Sequence, residues 1–249
     1  MTILKRTVAL LLAVMLTLNV TAQERKVQNR PYTDLRPFHF GIQIGTHMQD
    51  IELMNVGLLS ITDEDGITKE SLITCDQDQW DPGFNVGVLG EFRLTENLQF
   101  RIAPAIYFGA RHFMFRNITE STPDDVVEEH QDLKSAYITS AFDIIFAAPR
   151  LNNHRMYVMA GLTPTLNLTG KTTDYFRLKR VQTFAEVGLG CDYYLPYFKC
   201  RPELKFMLGL GNALDPNHPA QLKDINMLAY AKSVSKAKTK MITLTFYFE

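Results

Sequence analysis

The chain has 249 residues, with 26 lysines and arginines against 27 aspartates and glutamates, giving a formal net charge of −1 at pH 7. This balance argues against a nucleic-acid-binding protein, which usually carries a basic excess. No stretch is apolar for the roughly 20 residues that a membrane helix needs. Three cysteines are too few for a disulfide framework or a paired-cysteine zinc site. Composition alone would suit an ordinary soluble enzyme.

The first 22 residues have the pattern of an export signal. Lys5 and Arg6 precede an apolar run at 8–18, and small residues end the segment at Ala22. The run is shorter than a membrane helix, so we expect a signal peptide at 1–22 that is cleaved before Gln23. A short N-terminal membrane anchor is the alternative.

Alternation of apolar residues with polar or small ones recurs along the rest of the chain. In the first such segment Phe38, Phe40 and Ile42 alternate with His39 and Gly41. This period of two predicts β-strands with two unlike faces. Eight segments of about 8 to 14 residues show it, which is close to the length of a tilted membrane strand. They lie at 38–45, 84–94, 98–111, 138–146, 156–168, 181–193, 200–210 and 241–248.

Connections of two lengths alternate between these segments. The short ones are 95–97, 148–154 and 195–198, and the long polar ones are 47–82, 117–134, 169–180 and 211–238. Short periplasmic turns and long outer loops are typical of outer-membrane barrels. The sequence therefore predicts an all-β fold, an eight-stranded antiparallel transmembrane β-barrel of up-and-down topology in the bacterial outer membrane, with both termini periplasmic. We expect a periplasmic N-terminal segment at 23–37 and a barrel domain at 38–249.

A lipocalin-like soluble barrel shares this topology but has an apolar interior and a charged exterior. Symmetric pairing across the turn at 95–97 sets Glu91 opposite Arg101, on the face that carries small residues. The same counting near Leu195 sets Glu186 opposite Lys205 and Asp192 opposite Lys199. We therefore expect a lumen plugged by paired charges, with ordinary surface pairing as the alternative. The expected network contains Glu91, Arg93, Arg101, Arg111, Asp143, Glu186, Asp192, Lys199, Arg201, Glu203 and Lys205.

Glycines are expected on the same inner face, where a small barrel has little space. They are Gly41, Gly45, Gly87, Gly109, Gly161, Gly188, Gly190 and Gly209.

Four stretches carry a resemblance to a known family: the first strand at 38–45 with Leu35-Arg36-Pro37 before it, residues 157–162, residues 186–194, and residues 201–205. They resemble the PorT-type outer-membrane barrels of the type IX secretion apparatus. The later stretches are shared by a broad superfamily of outer-membrane barrels, and the resemblance spans nearly the whole mature chain. It implies a non-enzymatic barrel that serves protein secretion, with other secretion-system proteins as partners and no catalytic, cofactor or metal residues.

The residues themselves contain no nucleophile elbow, phosphate-binding loop or paired-cysteine motif. His47 and His112 are both expected near the outer rim, which is the one pattern here that would suit an enzyme. Loop 47–82 is acidic at 62–65, and at Asp76, Asp78 and Asp81, and could bind calcium or a partner, or simply be solvated.

Two further expectations concern the barrel exterior. Lys232, Lys236, Lys238 and Lys240 could contact lipopolysaccharide phosphates or be solvated. Cys191 and Cys200 face each other by hairpin counting, and could form a disulfide or remain two lipid-facing thiols. The last strand ends in alternating aromatic residues, like the C-terminal signal of barrel-assembly clients, but Glu249 follows the final Phe248.

We therefore expect an accessory component of type IX secretion, with outer-membrane lipid and secretion proteins as partners and no nucleic acid. The alternatives are a structural or adhesive barrel that presents its loops and, less favoured, a lipid-modifying enzyme.

Overall fold

The computed structural model describes residues 27–62, 68–77, 80–121, 126–169, 175, 177–219, 222 and 225–249. The expected signal peptide at 1–22 lies outside these ranges. Within them no helix is long and apolar enough to cross a membrane.

The described chain forms ten strands, a short 3-10 helix at Thr33–Leu35 and one α-helix, α1, at Ile225–Lys232. The strands are β1 Phe38–Asn55, β2 Leu58–Thr62, β3 Thr68–Asp76, β4 Asp81–Arg93, β5 Leu98–Asn117, β6 Glu128–Ala147, β7 His154–Asn167, β8 Val181–Tyr194, β9 Lys199–Gly209 and β10 Val234–Phe248.

Eight of these strands form a closed ring. β1 pairs antiparallel with both β4 and β10, and the remaining neighbours follow in chain order from β4 to β10. A closed ring leaves no unpaired strand edge, which is what a bilayer requires of a sheet. The predicted eight-stranded antiparallel up-and-down barrel is confirmed. We call its two ends the turn end, where the short turns and the C-terminus lie, and the loop end.

Outward side chains form an apolar belt. On β1 it runs from Phe38, through Ile42 and Ile44, which are 57% and 56% exposed, to Met48. Ten steps of about 3.3 Å along a strand tilted by about 40° span roughly 25 Å, the height of the lipid-facing band of such barrels.

The long connections differ from the prediction because several strands continue beyond this belt. β1 extends to Asn55, and β2 and β3 form a hairpin whose second strand also pairs with β5. Much of the expected loop 47–82 is thus strand, and parts of 117–134 and 211–238 belong to β6, α1 and β10. The physical reason is an apolar core at the loop end, where the inward side chains of Ile51 and Ile73 are almost fully buried.

That core, which we call the apolar cap, covers the interior at the loop end. Aromatic rings of Phe115 on β5, Tyr175 and Tyr230 on α1 contact one another at centroid distances of 5.0 to 5.6 Å. The buried members of the cap are Ile51, Ile73, Cys75, Phe113, Phe115, Leu133, Leu178, Ala213, Leu214, Val234 and Ala237.

The inner-face glycines are where the alternation predicted them, and they make space for large side chains of neighbouring strands. A Cβ on Gly190 would overlap the Tyr157 ring, and one on Gly161 would overlap the Asp143 carboxylate. We expect Gly190→Val to prevent the compact barrel from forming or to destabilise it by about 1–3 kcal/mol, because the Tyr157 ring occupies the space that the valine side chain would need.

The measurement is the mobility of the unheated protein in a detergent gel, where a folded barrel runs as a compact band, followed by urea unfolding. Outward Gly90, where a Cβ would meet only the Phe38 ring edge at 3.2 Å, supplies the control variant Gly90→Ala. Equal behaviour of the two variants would contradict a tightly filled lumen.

Candidate functional site

Two arginines occupy the centre of the barrel interior near the turn end. Arg101 on β5 and Arg201 on β9 are both 0% exposed. Arg101 contacts Glu91 at 3.2 Å and Glu203 at 2.7 Å, and Arg201 Nη1 donates to Glu91 Oε2 at 2.6 Å. A single carboxylate oxygen on β4 therefore joins guanidinium groups from two other strands.

The C-terminal residue belongs to this arrangement. Glu249 contacts Arg201 at 2.7 Å, Lys199 at 2.5 Å and His39 at 3.4 Å. Its backbone also exchanges hydrogen bonds with Lys199 in both directions. The glutamate that departs from an aromatic C-terminus thus links β9 to β1, across the seam between the last strand and the first. Sequence reasoning recorded the departure but not this role.

Two tyrosines complete the surroundings of the arginines. The hydroxyls of Tyr157 and Tyr247 donate to the two oxygens of Glu203, at 2.7 and 3.0 Å. The Arg101 guanidinium lies 4.4 Å from the Tyr247 ring centroid, and that of Arg201 lies 4.8 Å from Tyr157. Ring faces and carboxylates together replace part of the water that these charges lose on burial, although Nη2 of each arginine has no hydrogen-bond partner among the described residues.

A looser cluster adjoins the arginines. Lys205 Nζ lies 3.6 Å from Glu186 and 3.9 Å from Glu203, and Asp143 lies 4.0 Å from Arg101. Asp143 and Glu186 pair with the same residue, Gly161, from its two sides. Their four carboxyl oxygens have no hydrogen-bond partner among the described residues.

We call the whole set the charge layer. It contains six acidic side chains and four basic ones, so its surplus of acid lies at the Asp143 and Glu186 pair, where contacts are longest. Its members are Glu91, Arg101, Asp143, Glu186, Asp192, Lys199, Arg201, Glu203, Lys205 and Glu249.

Two residues expected in the network lie elsewhere. Arg93 is only partly buried at the turn end, where Nη1 donates to the Leu35 carbonyl at 3.2 Å. Arg111 is buried, but in a middle layer of mostly neutral groups: its Nε donates to Gln49 Oε1 at 2.8 Å. Among the described residues Arg111 makes no ion pair. The prediction was wrong for both because alternation gives the face of a residue and not its height.

Strand register is confirmed at one turn and wrong at the other. Glu91 pairs with Arg101 as predicted. Between β8 and β9, however, Tyr193 pairs with Cys200 and Gly188 with Lys205. The predicted oppositions of Glu186 with Lys205, Asp192 with Lys199, and Cys191 with Cys200 are each displaced by two residues.

The pairing of β8 with β9 is displaced because the turn between them has a different centre from the one assumed. A hydrogen bond from the Leu195 N–H to the Phe198 carbonyl closes this turn. As a result Asp192 contacts Arg201, and Lys205 reaches Glu186 only diagonally. Cys191 and Cys200 are free thiols, so the disulfide expected from hairpin counting is absent from the structure.

The two rim histidines lie on opposite faces of the barrel wall. His47 points inward and is 1% exposed, with its Nε2 at 2.6 Å from Gln49 Nε2. The His112 side chain is about half exposed and bonds to Asp81. Among the described residues there is also no group of three or more metal-ligating side chains.

The acidic loop is partly described. Residues 63–65 and Asp78 lie outside the described residues, and Asp81 is buried, where it accepts hydrogen bonds from His112 and from Gln77. Asp81 therefore has a structural role at the start of β4.

Of the four expected lipopolysaccharide contacts, Lys240 is paired with Glu52 at 2.7 Å, and Lys238 faces Glu52 across the strands. Lys232 and Lys236 are exposed. Contact of these lysines with lipopolysaccharide stays a prediction.

A closed ring with an apolar exterior and a charged interior is the construction of a membrane barrel, not of a lipocalin. A family model described as "Outer membrane protein beta-barrel domain" matches residues 21–215. The chain belongs to this family. Membership places the protein in the bacterial outer membrane as a β-barrel, and no curated protein matches the sequence significantly.

Several solved outer-membrane proteins are similar at low sequence identity. Ail, the attachment invasion locus protein of Yersinia pestis, is 13% identical with a TM-score of 0.38, over 86% of this chain and 99% of its own. OprG from Pseudomonas aeruginosa is 12% identical with a TM-score of 0.46, over 84% and 93%. Neisserial surface protein A is 11% identical with a TM-score of 0.41, over 85% and 98%.

The charge layer generates a stability prediction. We expect Arg201→Met to lower the free energy of unfolding by about 3–5 kcal/mol, because it leaves the Asp192 carboxylate buried without its cation and removes one of the two cations that contact each of Glu91 and Glu249. The measurement is urea unfolding in lipid vesicles. Arg93→Met is the matched control and is expected to stay within about 0.5 kcal/mol of the wild type. Similar losses in the two variants would refute the layer's role.

A second prediction concerns His112, which lies beyond the apolar belt. Its Nδ1–H donates to Asp81 Oδ1 at 2.7 Å, and this hydrogen bond raises the pKa of His112 above its usual value. A raised folded-state pKa stabilises the fold fully below pH about 6.5 and loses that effect as pH rises through the folded-state pKa.

NMR titration of the His112 ring should therefore give a pKa above 6.5 in the wild type and a lower one in Asp81→Asn. Asp132→Asn, which removes a carboxylate 3.9 Å from Nε2, is expected to lower the pKa less. An unchanged pKa in Asp81→Asn would show that this hydrogen bond does not form.

Proposed function

We propose that this outer-membrane barrel is a non-enzymatic accessory component of type IX protein secretion, acting through its turn end while nothing passes through its lumen. The observation that carries the closed lumen is the complete burial of Arg101, Glu91 and Arg201 at the barrel centre. The secretion role rests on the resemblance of the first strand and loop lengths to PorT-type barrels.

The turn end supports a docking role because it is covered by the N-terminal segment. Arg150 donates to the Asn29 carbonyl at 2.5 Å and stacks 3.6 Å from the Tyr194 ring centroid. The Tyr194 hydroxyl donates to Asp34 at 2.7 Å, and Arg30 donates to the carbonyl of Glu249 at 2.8 Å. Residues of the N-terminal segment thus form an ordered surface over the short turns, which we propose faces the periplasm and its partners.

The loop end supports the second candidate, an adhesive or structural barrel. The β2–β3 hairpin projects beyond the apolar belt, and exposed apolar residues lie at its base, with Met54 52% and Leu58 61% exposed. Rigid elements that carry exposed apolar side chains are suited to protein contacts. The lipid-modifying alternative rested on His47 and His112, which the barrel wall separates.

Gene deletion followed by complementation would test the proposal. Loss of the protein should stop surface delivery of type IX cargo, because an accessory component is missing. Arg150→Ala should complement poorly while still forming a heat-resistant barrel, since it loosens only the turn-end surface. Deletion of residues 58–72, which joins Gly57 to Ile73 beside the Leu58–Leu72 pair, should complement fully.

Two other outcomes would distinguish the secretion role from the adhesive one. Unchanged cargo delivery in the deletion strain would remove the secretion role. Loss of host-surface or partner binding in the 58–72 deletion, with secretion intact, would favour the adhesive candidate.

A further inference from the structure

A small window interrupts the barrel wall between β8 and β9 at the loop end. The Leu210 N–H donates to the Thr183 carbonyl below it, and the Lys179 N–H donates to the Ala213 carbonyl above it. Between these two hydrogen bonds the chains separate, and Gly211 adopts a positive φ of 90°. The separation leaves a cavity of about 190 Å³.

Hydrogen-bonding groups without partners line this window. Gln182 Nε2 and Thr239 Oγ1 are buried and have no hydrogen-bond partner among the described residues. Thr239 is only 1% exposed, and Gly209 beside it contributes no side chain that could fill the space. Burial of an unpaired donor is unfavourable, so a ligand that accepts these hydrogen bonds would be stabilised.

The charge of the residues that line the window favours an anionic ligand. Lys179 lines the window, is the one charged residue among the described lining residues, and makes no ion pair with any described residue. None of the described lining residues is acidic. They are Lys179, Val181, Gln182, Thr183, Gly209, Leu210, Gly211, Asn212, Ala213 and Thr239.

The position of the window indicates where such an anion would come from. Val181 and Leu210 are 64% and 57% exposed and end the apolar belt on this side of the barrel. Lys179 and Gly211 lie immediately beyond them. Lipid phosphates occupy this level, just past the hydrocarbon, and basic side chains bind them there.

We propose that the window binds a phosphate group, held by the Lys179 ammonium, the Gln182 side-chain amide and the Thr239 hydroxyl. The group could belong to a lipid headgroup at the membrane surface or to a free phosphate. This site is separate from the exposed lysines of β10 and does not depend on a role in secretion.

The test is an NMR titration of the full mature barrel in phosphatidylcholine nanodiscs, following the Gln182 side-chain amide and the Gly211 backbone amide. One arm adds inorganic phosphate, a second uses nanodiscs containing bis-phosphorylated lipid A, and a third uses lipid A freed of its phosphates. We expect the two amides to shift with a phosphate-bearing probe and not with the dephosphorylated lipid.

Variants identify the contacts. Lys179→Gln should weaken binding about tenfold, because a charge-assisted hydrogen bond is lost. Thr239→Val should also weaken it, and the Thr239 hydroxyl has no hydrogen-bond partner in the described part of the chain whose loss would disturb folding. Lys134→Gln, which removes an exposed loop-end lysine on β6, is the matched control and should bind as the wild type does.

Shifts with lipid A alone support a headgroup site, and shifts with inorganic phosphate alone support a site for free phosphate. The proposal is overturned if neither probe moves the two amides, if dephosphorylated lipid A moves them equally, or if Lys134→Gln weakens binding as much as Lys179→Gln.

Discussion

The two arginines at the barrel centre set the requirements that the rest of the interior meets. A guanidinium group keeps its charge under all ordinary conditions, so Arg101 and Arg201 have to be surrounded by carboxylates, hydroxyls and ring faces once they leave water. Glu91 bridges them, and Tyr157 occupies space that Gly190 leaves open. Through Glu249 the same network reaches Lys199 and His39, so it also fastens the seam between β10 and β1.

The side chains inside the barrel change along its axis from charged, through mostly neutral, to apolar. The two ends of the barrel differ because of this change. The charge layer lies towards the turn end, where the N-terminal segment covers it. Above it come mostly neutral groups such as Gln49 and His47, and above these the apolar cap. Beyond the lipid the outer face becomes polar and the inner face apolar, as in a soluble barrel. The protein is thus a membrane barrel that carries a small water-exposed β-domain at its loop end.

This inversion explains what the sequence could and could not predict. Inside the bilayer the apolar residues of each strand stay on its outward face. The eight strands and the faces of their residues were therefore predictable from the sequence. On β1 the apolar residues move from the outward to the inward face after Met48, because Ile51 points inward. The alternation is interrupted there, and the sequence resembles a polar loop. Register followed from symmetry at 95–97 but failed at 195–198, where the turn has a different centre. The roles of Glu249 and of the wall window depend on contacts between distant strands, which alternation does not encode.

We expect the paired charges and the apolar cap to close this barrel along its axis. Steady-state conductance of the purified protein in a planar lipid bilayer would measure whether ions pass through it. We expect no sustained current above that of the protein-free membrane. A stable, voltage-tolerant current with the selectivity of a water-filled, acid-lined pore would contradict it, because an open aqueous path cannot coexist with fully buried Arg101 and Arg201 side chains.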